Sequence, residues 1–388
     1  MAMKRVVIKL GSSVVADPAG ELRKDALARV CDALAQMHKK GGEAIVVTSG
    51  AIARGMRIMD MPQRPSAVGE LQAASAVGQG KLYRAYDEML RERGVTSAQV
   101  LLTFFDMSAR THYLNARQTL TTLLSWKVMP VINENDTTAT DEISFGDNDF
   151  LAAQVAILTG AEELVLLTDI DGVYSADPRR RPDARLIEEV ADIGALQEME
   201  IGHTTSPLGS GGMRSKVVAA DMATAAGIAT TVCNGLSEEA LQAVLAGGGE
   251  GEGEGGSAGR RAGRRVGTYF PPREARYSSF KLWLKYAKPS RGTLLIDAGA
   301  ARAVREGSAS LLPVGVVEVR GEFDAGDAVD IVELDPARRE PPPTLGKGIS
   351  NYSAQEMRQV LGKNSALARE ILPRATEEAV HRDYLVLD

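Results

Sequence analysis

Two glycine-bearing segments carry groups that bind phosphate, namely lysine ammonium groups, hydroxyls and unhindered backbone N–H groups. The first is Lys9-Leu10-Gly11-Ser12-Ser13, and the second spans residues 209–216 with the sequence GSGGMRSK, which ends in Lys216. Glycines before a helix N-terminus let backbone N–H groups approach an anion closely. The second segment is not a Walker A motif, because it lacks the four-residue spacer followed by Gly-Lys-Ser/Thr. Taken alone, either segment is also compatible with an ordinary turn.

Polar side chains that suit a small substrate follow two further apolar runs. Thr48-Ser49-Gly50 closes the first run, and Asn133-Glu134-Asn135-Asp136 closes the second. Gly146-Asp147-Asn148-Asp149 then opens a helical pattern. Carboxylates and amides in such places can hold a substrate amino group or orient a lysine. A structural turn is the alternative for the first segment, and a surface turn with an aspartate N-cap is the alternative for the third.

Few other sequence patterns could take part in binding or catalysis. Thr168-Asp169 ends an apolar run, in position to contact a nucleotide, and no nucleophile has an obvious base. The four histidines and two cysteines are scattered and give no metal-ligand spacing. Gly251–Gly256 formally matches GxGxxG, but it follows no strand, opens no helix and puts two carboxylates where a pyrophosphate would sit. The candidates therefore indicate phosphate binding beside a polar substrate.

The elements that must position these residues are short apolar runs alternating with helical patterns through the first 246 residues. Most runs are nearly all apolar, as expected when helices cover both faces of a parallel sheet. The alternation implies right-handed crossovers, so the predicted fold class is α/β with a doubly wound, mainly parallel sheet. The predicted strands are Arg5–Leu10, Ala44–Thr48, Ala98–Leu102, Val128–Asn133, Leu164–Thr168 and Thr230–Cys233. The predicted helices are Lys24–Lys40, Glu70–Arg93, Leu114–Trp126, Asn148–Thr159 and Ser215–Ala226.

The composition changes after this region. Between residues 247 and 263, nine of seventeen residues are glycine, and such a stretch cannot bury apolar surface. We therefore predict a first domain over 1–246, a flexible Gly/Arg-rich linker over 247–266 and a C-terminal region over 267–388. Short strands predicted at Thr293–Ile296, Val314–Val319 and Ala328–Val332 indicate a small β-rich domain within that region, at about 280–372.

Overall composition narrows the class of protein. The chain has 388 residues, 44% of them hydrophobic and 25% charged, with a formal net charge of −6. This charge argues against a protein built chiefly to coat nucleic acid. The N-terminal apolar stretch is too short for a signal peptide, and no run of about 18 apolar residues exists to span a membrane. The two distant cysteines, Cys31 and Cys233, fit a reducing compartment. We expect a cytoplasmic protein.

Six motifs, taken in order, resemble the amino acid kinase family. They are KLGSSVV, VTSGAIARG, VINENDTTATDEI, GDNDFLAA, LLTDIDGVYSADPR and GSGGMRSK, and together they span essentially the whole first domain. Six motifs in the right order are far more specific than any one of them. The stretch SLLPVGVVEVRGEFDAGD resembles a PUA domain. The glycine-rich linker looks like an insertion relative to the family, and Ser210 stands where threonine is common.

The resemblance implies transfer of the ATP γ-phosphoryl group to the γ-carboxylate of L-glutamate, giving L-glutamyl 5-phosphate for proline synthesis. It assigns catalysis to Lys9, Lys216 and Asp149, with the aspartate holding both lysines. The glutamate contacts it implies are Ser49, Asp136 and Asn148, with Asn133 and Asp147 as neighbours. The nucleotide contacts it implies are Lys9, Thr168, Asp169, Ser210, Gly211, Gly212, Met213, Arg214, Ser215 and Lys216. Mg²⁺ would be carried mainly on the phosphate oxygens, because it usually keeps its waters and takes few protein ligands.

Several alternatives remain open at this point. Other members of the family act on acetylglutamate, aspartate or uridylate, although an acidic substrate loop favours a free amino acid over a nucleotide. PUA domains commonly bind RNA, and the linker carries Arg260, Arg261, Arg264 and Arg265, so RNA binding is a second hypothesis. The C-terminal domain could instead serve assembly or regulation. The resemblance also implies a homo-oligomer and feedback inhibition by proline.

Overall fold

The computed structural model describes residues 4–103, 106–107, 110–138, 148–178, 181–191, 212–245, 260–261, 264–274, 279–282, 284–285, 288–306, 309–334, 344–372 and 377–387. The chain forms two compact units, Met1–Arg276 and Tyr277–Asp388. Within the described residues, no helix is both long enough and apolar enough to cross a lipid bilayer.

A seven-stranded sheet forms the centre of the first unit, with the order β3-β4-β2-β1-β5-β6-β9. Neighbouring strands from β3 to β6 in this order are parallel, and β9 is antiparallel to β6. The chain moves to one side of β1 first and then to the other, so β1 lies at the point where the strand order reverses. Open α/β sheets bind ligands outside the carboxyl ends of their strands at such a point. The strands are β1 Arg5–Leu10, β2 Glu43–Val47, β3 Ser97–Leu102, β4 Met129–Glu134, β5 Glu163–Thr168, β6 Ala229–Asn234 and β9 Thr268–Phe270.

Helices follow most of these strands, and the predicted fold class is confirmed. The strands next to the reversal point are buried almost throughout, as their apolar runs predicted. The helices are α1 Ser12–Val15, α2 Lys24–Lys39, α3 Ala51–Ile58, α4 Val68–Glu92, α5 Arg110–Ser125, α6 Asn148–Thr159, α7 Met213–Ala225 and α8 Glu238–Leu245. Helix α6 has the bounds predicted for it, whereas α3 and α8 were not predicted.

Helices α3 and α4 pack with their backbones in direct contact, because glycine lies at two crossing points. A Cβ atom on Gly55 would lie 1.7 Å from the carbonyl oxygen of Ala74, and one on Gly78 would lie 1.9 Å from that of Ala51. Any larger side chain would separate the helices. Since α3 begins directly after Gly50, this contact fixes the loop after β2 against the first half of α4.

The segment after the glycine-rich stretch differs from its predicted assignment. The sequence placed residues 267–388 in a C-terminal region with its β-rich domain at about 280–372, and within that region β9 pairs with β6 of the first sheet. The side chain of Thr268 explains the attachment, because its hydroxyl accepts from Val173 N at 2.8 Å and donates to the carbonyl of Ile187 at 2.6 Å. Within the predicted linker, β7 (Arg260–Arg261) pairs with β8 (Arg264–Arg265). Residues 247–259 lie outside the described residues.

The second unit is built on a five-stranded sheet with the order β11-β10-β12-β13-β14. Strands β10 and β12 are parallel, and the other neighbours are antiparallel. A core that includes Leu294, Ile331 and Tyr352 packs against the sheet. The strands are β10 Ser290–Ile296, β11 Val316–Gly321, β12 Ala328–Glu333, β13 Thr344–Ser350 and β14 Val380–Leu387. The helices are α9 Ser279–Leu282, α10 Ala298–Arg305, α11 Ala354–Val360 and α12 Ser365–Ile371, and a 3-10 turn spans Pro313–Gly315.

Candidate active site

The predicted site residues of the first unit come together at the carboxyl edge of the sheet. Lys9 lies near the end of β1, where it is in register with Val47 of β2 and Leu166 of β5. The turn after β1 is tied to β5, because Gly11 N donates to the carbonyl of Leu167 at 3.0 Å. The phosphate-binding candidate at residues 9–13 therefore lies beside the end of β5. This is where open α/β sheets bind ligands, outside the carboxyl ends of the strands at the reversal point.

Three buried charged side chains form a lysine–aspartate cluster, which consists of Lys9, Asp149 and Lys216. Lys9 Nζ lies 2.5 Å from Asp149 Oδ1, and Lys216 Nζ lies 2.9 Å from Asp149 Oδ2. Asp149 is fully buried, while Lys9 is 2% and Lys216 is 5% exposed. The hydroxyl of Ser215 lies 3.1 Å from Asp149 Oδ2 and 2.7 Å from the carbonyl of Gly212. Both predicted catalytic lysines thus contact the predicted catalytic aspartate.

The protonation state of this cluster follows from its charges. Burial raises the pKa of Asp149, but the ammonium groups of Lys216 and Lys9 outweigh that effect and hold the pKa below the ordinary range of an aspartate. The carboxylate is therefore ionised at neutral pH. Two ammonium groups share one carboxylate, so these three side chains together carry one net positive charge. An anionic ligand would complete the charge balance.

Next to this cluster lies a chain of hydrogen-bonded neutral side chains. We call it the amide chain, and it consists of Gln79, Asn133, Asn148 and Ser49. Asn148 Nδ2 donates to Ser49 Oγ at 3.0 Å and to Asn133 Oδ1 at 2.9 Å. Asn133 Nδ2 donates in turn to Gln79 Oε1 at 2.5 Å. Asn148 Oδ1 is buried and has no hydrogen-bond partner among the described residues. A buried acceptor of this kind calls for a donor from a ligand.

Asp136 contributes a further carboxylate to the same edge of the sheet. The hydroxyl of Ser75, on α4, donates to Asp136 Oδ2. Burial raises the pKa of Asp136 above its ordinary value, and the Ser75 hydrogen bond and the charge of Arg64 only partly oppose this effect. Arg64 is itself affected by burial, which lowers its pKa, while Asp136 opposes the shift. Asp136 is therefore an acidic group that a cationic substrate group could stabilise in its ionised form.

The predicted nucleotide contacts lie at the end of β5 and the start of α7. Thr168 is 5% exposed, and its hydroxyl lies 3.3 Å from Asp169 Oδ1. Gly212 is the N-cap of α7, and as a glycine it has no side chain to cap the helix. Free N–H groups at a helix N-terminus suit an anion. Met213, Arg214, Ser215 and Lys216 form that first turn. Asp147, Ser210 and Gly211 lie outside the described residues.

Three residues that interact with the predicted site were not identified from the sequence, namely Ser75 and Gln79 by hydrogen bonds and Arg64 by its charge. Ser75 and Gln79 are one helical turn apart on α4, so the sequence could indicate only that they share a face. Their partners lie 61 and 54 residues away along the chain. No local pattern marks such contacts, because they depend on how α4 packs against the end of β4.

Comparisons with known proteins agree with this arrangement. The Amino acid kinase family matches residues 4–234, and the PUA domain matches residues 292–372. Glutamate 5-kinase of Chromohalobacter salexigens is 43% identical over 386 residues, which are 99% of this chain and 96% of that protein. Glutamate 5-kinase of Synechococcus sp. strain JA-3-3Ab is 41% identical over 384 residues, 98% of each.

Glutamate 5-kinase of Methylibium petroleiphilum is 42% identical over 386 residues, which are 99% of this chain and 98% of that protein. Among solved structures, UMP kinase from Bacillus anthracis is similar over 69% of this chain and 96% of its own, with 16% identity and a TM-score of 0.46. The predicted family and PUA domain are confirmed. The chain belongs to the amino acid kinase family and, within it, to the glutamate 5-kinases.

Proposed function

We propose that this chain transfers the γ-phosphoryl group of ATP to the γ-carboxylate of L-glutamate, giving L-glutamyl 5-phosphate in the first step of proline biosynthesis. The observation that carries the proposal is the buried cluster of two lysines around Asp149, with the amide chain beginning at the adjacent residue. Glutamate 5-kinases that share more than two fifths of its sequence support the choice of substrate.

The lysine–aspartate cluster accounts for the phosphoryl-transfer step. The transferring group carries negative charge on its equatorial oxygens, and enzymes of this kind act mainly by positioning and by neutralising that charge. Lys9 and Lys216 would flank the group, with Asp149 holding both ammonium groups at a fixed separation. Because the charges are already in place, they need no reorganisation during the reaction. Losing one such preorganised charge typically costs about 3 kcal/mol of transition-state stabilisation.

The acceptor needs little activation. A glutamate side chain has an unperturbed pKa of about 4.3, so its carboxylate is ionised at neutral pH and attacks without losing a proton. No general base is required, and none of the groups described above has to fill that role. The bond that forms joins a carboxylate oxygen to the γ-phosphorus, and the bond that breaks releases ADP with its charge balanced by the lysines.

Substrate binding is assigned to the polar residues beside the cluster. Asn148, Ser49 and Asn133 would line the glutamate pocket, with Asp147 as a further neighbour. Asp136 supplies a carboxylate, and Asn148 Oδ1 supplies an unpaired acceptor within the described residues. Both accept hydrogen bonds, so both suit the α-ammonium group of a free amino acid.

Nucleotide binding is assigned to Lys9, Thr168, Asp169 and residues 210–216. Both oxygens of Asp149 contact a lysine, and the part of the chain that the structure describes holds no group of three or more His, Cys, Asp or Glu residues suited to a metal. These residues fit a Mg²⁺ ion carried by phosphate oxygens and water, which is its usual mode of binding. Bound with ATP, the ion would neutralise part of the phosphate charge.

Two further assignments belong to this proposal. We place the enzyme in the cytoplasm, in keeping with two buried free thiols, Cys31 and Cys233. We also expect a homo-oligomer, by analogy with the family.

The test is ATP turnover by purified protein with Mg²⁺, comparing L-glutamate, N-acetylglutamate, aspartate and UMP, with hydroxylamine to trap an acyl phosphate. We expect hydroxamate with glutamate alone, and its loss in Lys216→Ala but not in Lys81→Ala, an exposed lysine on α4. Turnover of another substrate would keep the fold and overturn the substrate. Absence of turnover with all four would overturn the proposal.

RNA binding by the second unit is a separate proposal, supported by its PUA match. Two of its lysines also serve the fold, because Lys347 Nζ donates to the carbonyl of Lys288 at 3.0 Å and Lys285 Nζ donates to that of Leu387 at 3.1 Å. Phosphate contacts make binding steeply dependent on salt. A salt titration with RNA tests this role, and millimolar affinity or little salt sensitivity would contradict it.

A further inference from the structure

The loop that opens the proposed nucleotide site is held at both of its ends. Thr168 closes β5, and its carbonyl accepts from Gly235 N at 2.8 Å. Residues 169–172 follow, beginning with Asp169, and Val173 after them is fully buried. Because so short a loop has a limited reach between two fixed ends, whatever holds Val173 also shapes the loop.

The group that holds Val173 is the side chain of Thr268 on β9. Thr268 is fully buried, and its hydroxyl accepts from Val173 N at 2.8 Å and donates to the carbonyl of Ile187 at 2.6 Å. Ile187 N donates in turn to the carbonyl of Val173 at 2.9 Å. One side-chain oxygen therefore joins both sides of the turn that follows the loop. Without the hydroxyl, the buried N–H group of Val173 would lose this partner, which is unfavourable.

Glycine at two positions brings the loop, Thr268 and β6 into direct contact. A Cβ atom on Gly172 would lie 2.6 Å from Thr268 Oγ1, and one on Gly267 would lie 2.3 Å from the carbonyl oxygen of Val232. Gly267 also has a φ of +79°, a conformation that other residues rarely adopt. The three segments are thus packed without a gap, so the position of the hydroxyl fixes the position of the loop.

We propose that Thr268 is a positioning residue for nucleotide binding, which holds residues 169–172 in place through Val173 without touching the nucleotide. Thr268 lies beyond residues 4–234, which match the amino acid kinase family. The inference rests on the proposed function, because that function assigns Asp169 to the nucleotide. Glutamate binding is assigned to other strand ends, so it should not depend on Thr268.

The experiment measures the dissociation constant for MgADP by calorimetry, together with KM for ATP and KM for L-glutamate. Thr268→Val replaces the hydroxyl by a methyl group, and Thr268→Ser keeps the hydroxyl. Thr159→Val is the matched control, because Thr159 is also buried and its hydroxyl donates to the carbonyl of Val155 at 2.7 Å, at the far end of α6 from the site. Thermal unfolding of each variant measures the structural cost of the substitution.

We expect Thr268→Val to weaken MgADP binding and to raise KM for ATP by about tenfold each, the effect of losing one buried hydrogen bond. KM for glutamate should stay unchanged. Thr268→Ser should keep all three values, and Thr159→Val should lower the melting temperature without changing them. If Thr268→Val keeps the MgADP affinity, or raises KM for glutamate as much as KM for ATP, Thr268 serves the fold alone. Loss of MgADP affinity in Thr268→Ser as large as in Thr268→Val would also contradict the role of the hydroxyl.

Gly172→Ala tests the same contact from the side of the loop. Its methyl group would enter the space of the Thr268 hydroxyl, so the loop must move away from β9. The variant should weaken MgADP binding as Thr268→Val does, and it replaces Thr268→Val if that protein does not fold. Unchanged MgADP affinity in folded Gly172→Ala would mean that the contact with Thr268 does not position the loop.

MgADP binding requires no turnover, and this separates the inference from the proposed function. Failure of the unaltered protein to phosphorylate glutamate would overturn the proposed function alone, because the binding comparison between variants still stands. Equal MgADP affinity in all variants of a protein that phosphorylates glutamate would overturn only the role of Thr268. An unaltered protein that does not bind MgADP would overturn both the nucleotide assignment and the role of Thr268.

Discussion

The two halves of the candidate site begin at adjacent residues, yet they are built from different chemistry. Asp149 joins Lys9 and Lys216 through full charges, whereas Asn148 joins Ser49 and Asn133 through neutral hydrogen bonds. A buried Coulomb attraction is strong but weakly directional, while an amide distinguishes donors from acceptors. The lysine–aspartate cluster is therefore suited to neutralising charge, and the amide chain is suited to discriminating between substrates.

This difference also appears in the two carboxylates. Asp149 lies between two ammonium groups that keep it ionised, whereas the hydroxyl of Ser75 and the charge of Arg64 only partly offset the burial of Asp136. The fold outweighs the effect of burial at Asp149 but only partly at Asp136, so a cationic ligand group would further favour the ionised form of Asp136. The comparison leads to four predictions, in order of decreasing effect.

Lys216→Met is expected to have the largest effect, because it removes one of the two charges that face the phosphoryl group. We expect kcat to fall by about 10²–10³-fold, with little change in KM for glutamate. The fold should persist, since Asp149 keeps Lys9 as its partner. Steady-state kinetics and a melting curve test this. A rise in KM for glutamate with kcat intact would show that Lys216 acts on glutamate binding and not on phosphoryl transfer.

Asp136→Asn should instead act on substrate binding. It removes the negative charge expected to face the substrate ammonium group, and a hydrogen bond to a charged group is worth about 1.5–3 kcal/mol. We expect kcat/KM for glutamate to fall by about 10–100-fold, with KM for ATP unchanged. Equal kcat/KM for glutamate in the variant and the unaltered protein would remove Asp136 from the site.

The opposite pKa shifts predict a pH dependence that separates the halves. The lowered pKa of Asp149 keeps the cluster ionised, and its contribution to stability present, until the pH falls well below the unfolded value of about 3.9. The raised pKa of Asp136 means that this residue protonates at a higher pH. As the pH is lowered from 7, kcat/KM for glutamate should therefore decline before kcat does. Asp136→Asn should flatten this decline, and a profile unaltered by that substitution would contradict the assignment.

Ser75→Ala should have the smallest effect. It removes a neutral hydroxyl that donates to Asp136, and such a hydrogen bond contributes about 1 kcal/mol. We expect KM for glutamate to rise by about fivefold, because Asp136 loses part of its orientation, while kcat and the melting temperature stay nearly constant. A loss of kcat as large as that of Lys216→Met would show that α4 also controls the lysine–aspartate cluster.

Local sequence patterns predicted the elements that carry the cluster. Strand β1 and helix α6 have the bounds predicted from their apolar runs, and Lys9 and Asp149 lie on them. Helix α3 was missed because it has only eight residues and carries Gly55 inside it, which lowers helix propensity. Strands β13 and β9 were missed for a similar reason, since one carries Gly346 and Gly348 and the other has only three residues.

The sequence by itself determined the fold class, the family and the residue types at the site, because apolar periodicity and ordered motifs are properties of short stretches of chain. Only the tertiary structure decided which of those residues meet. Asn148 contacts Ser49 across 99 residues of sequence, Lys216 contacts Asp149 across 67, and Gln79 contacts Asn133 across 54. Such contacts depend on packing between elements far apart in the chain, and no local propensity records them.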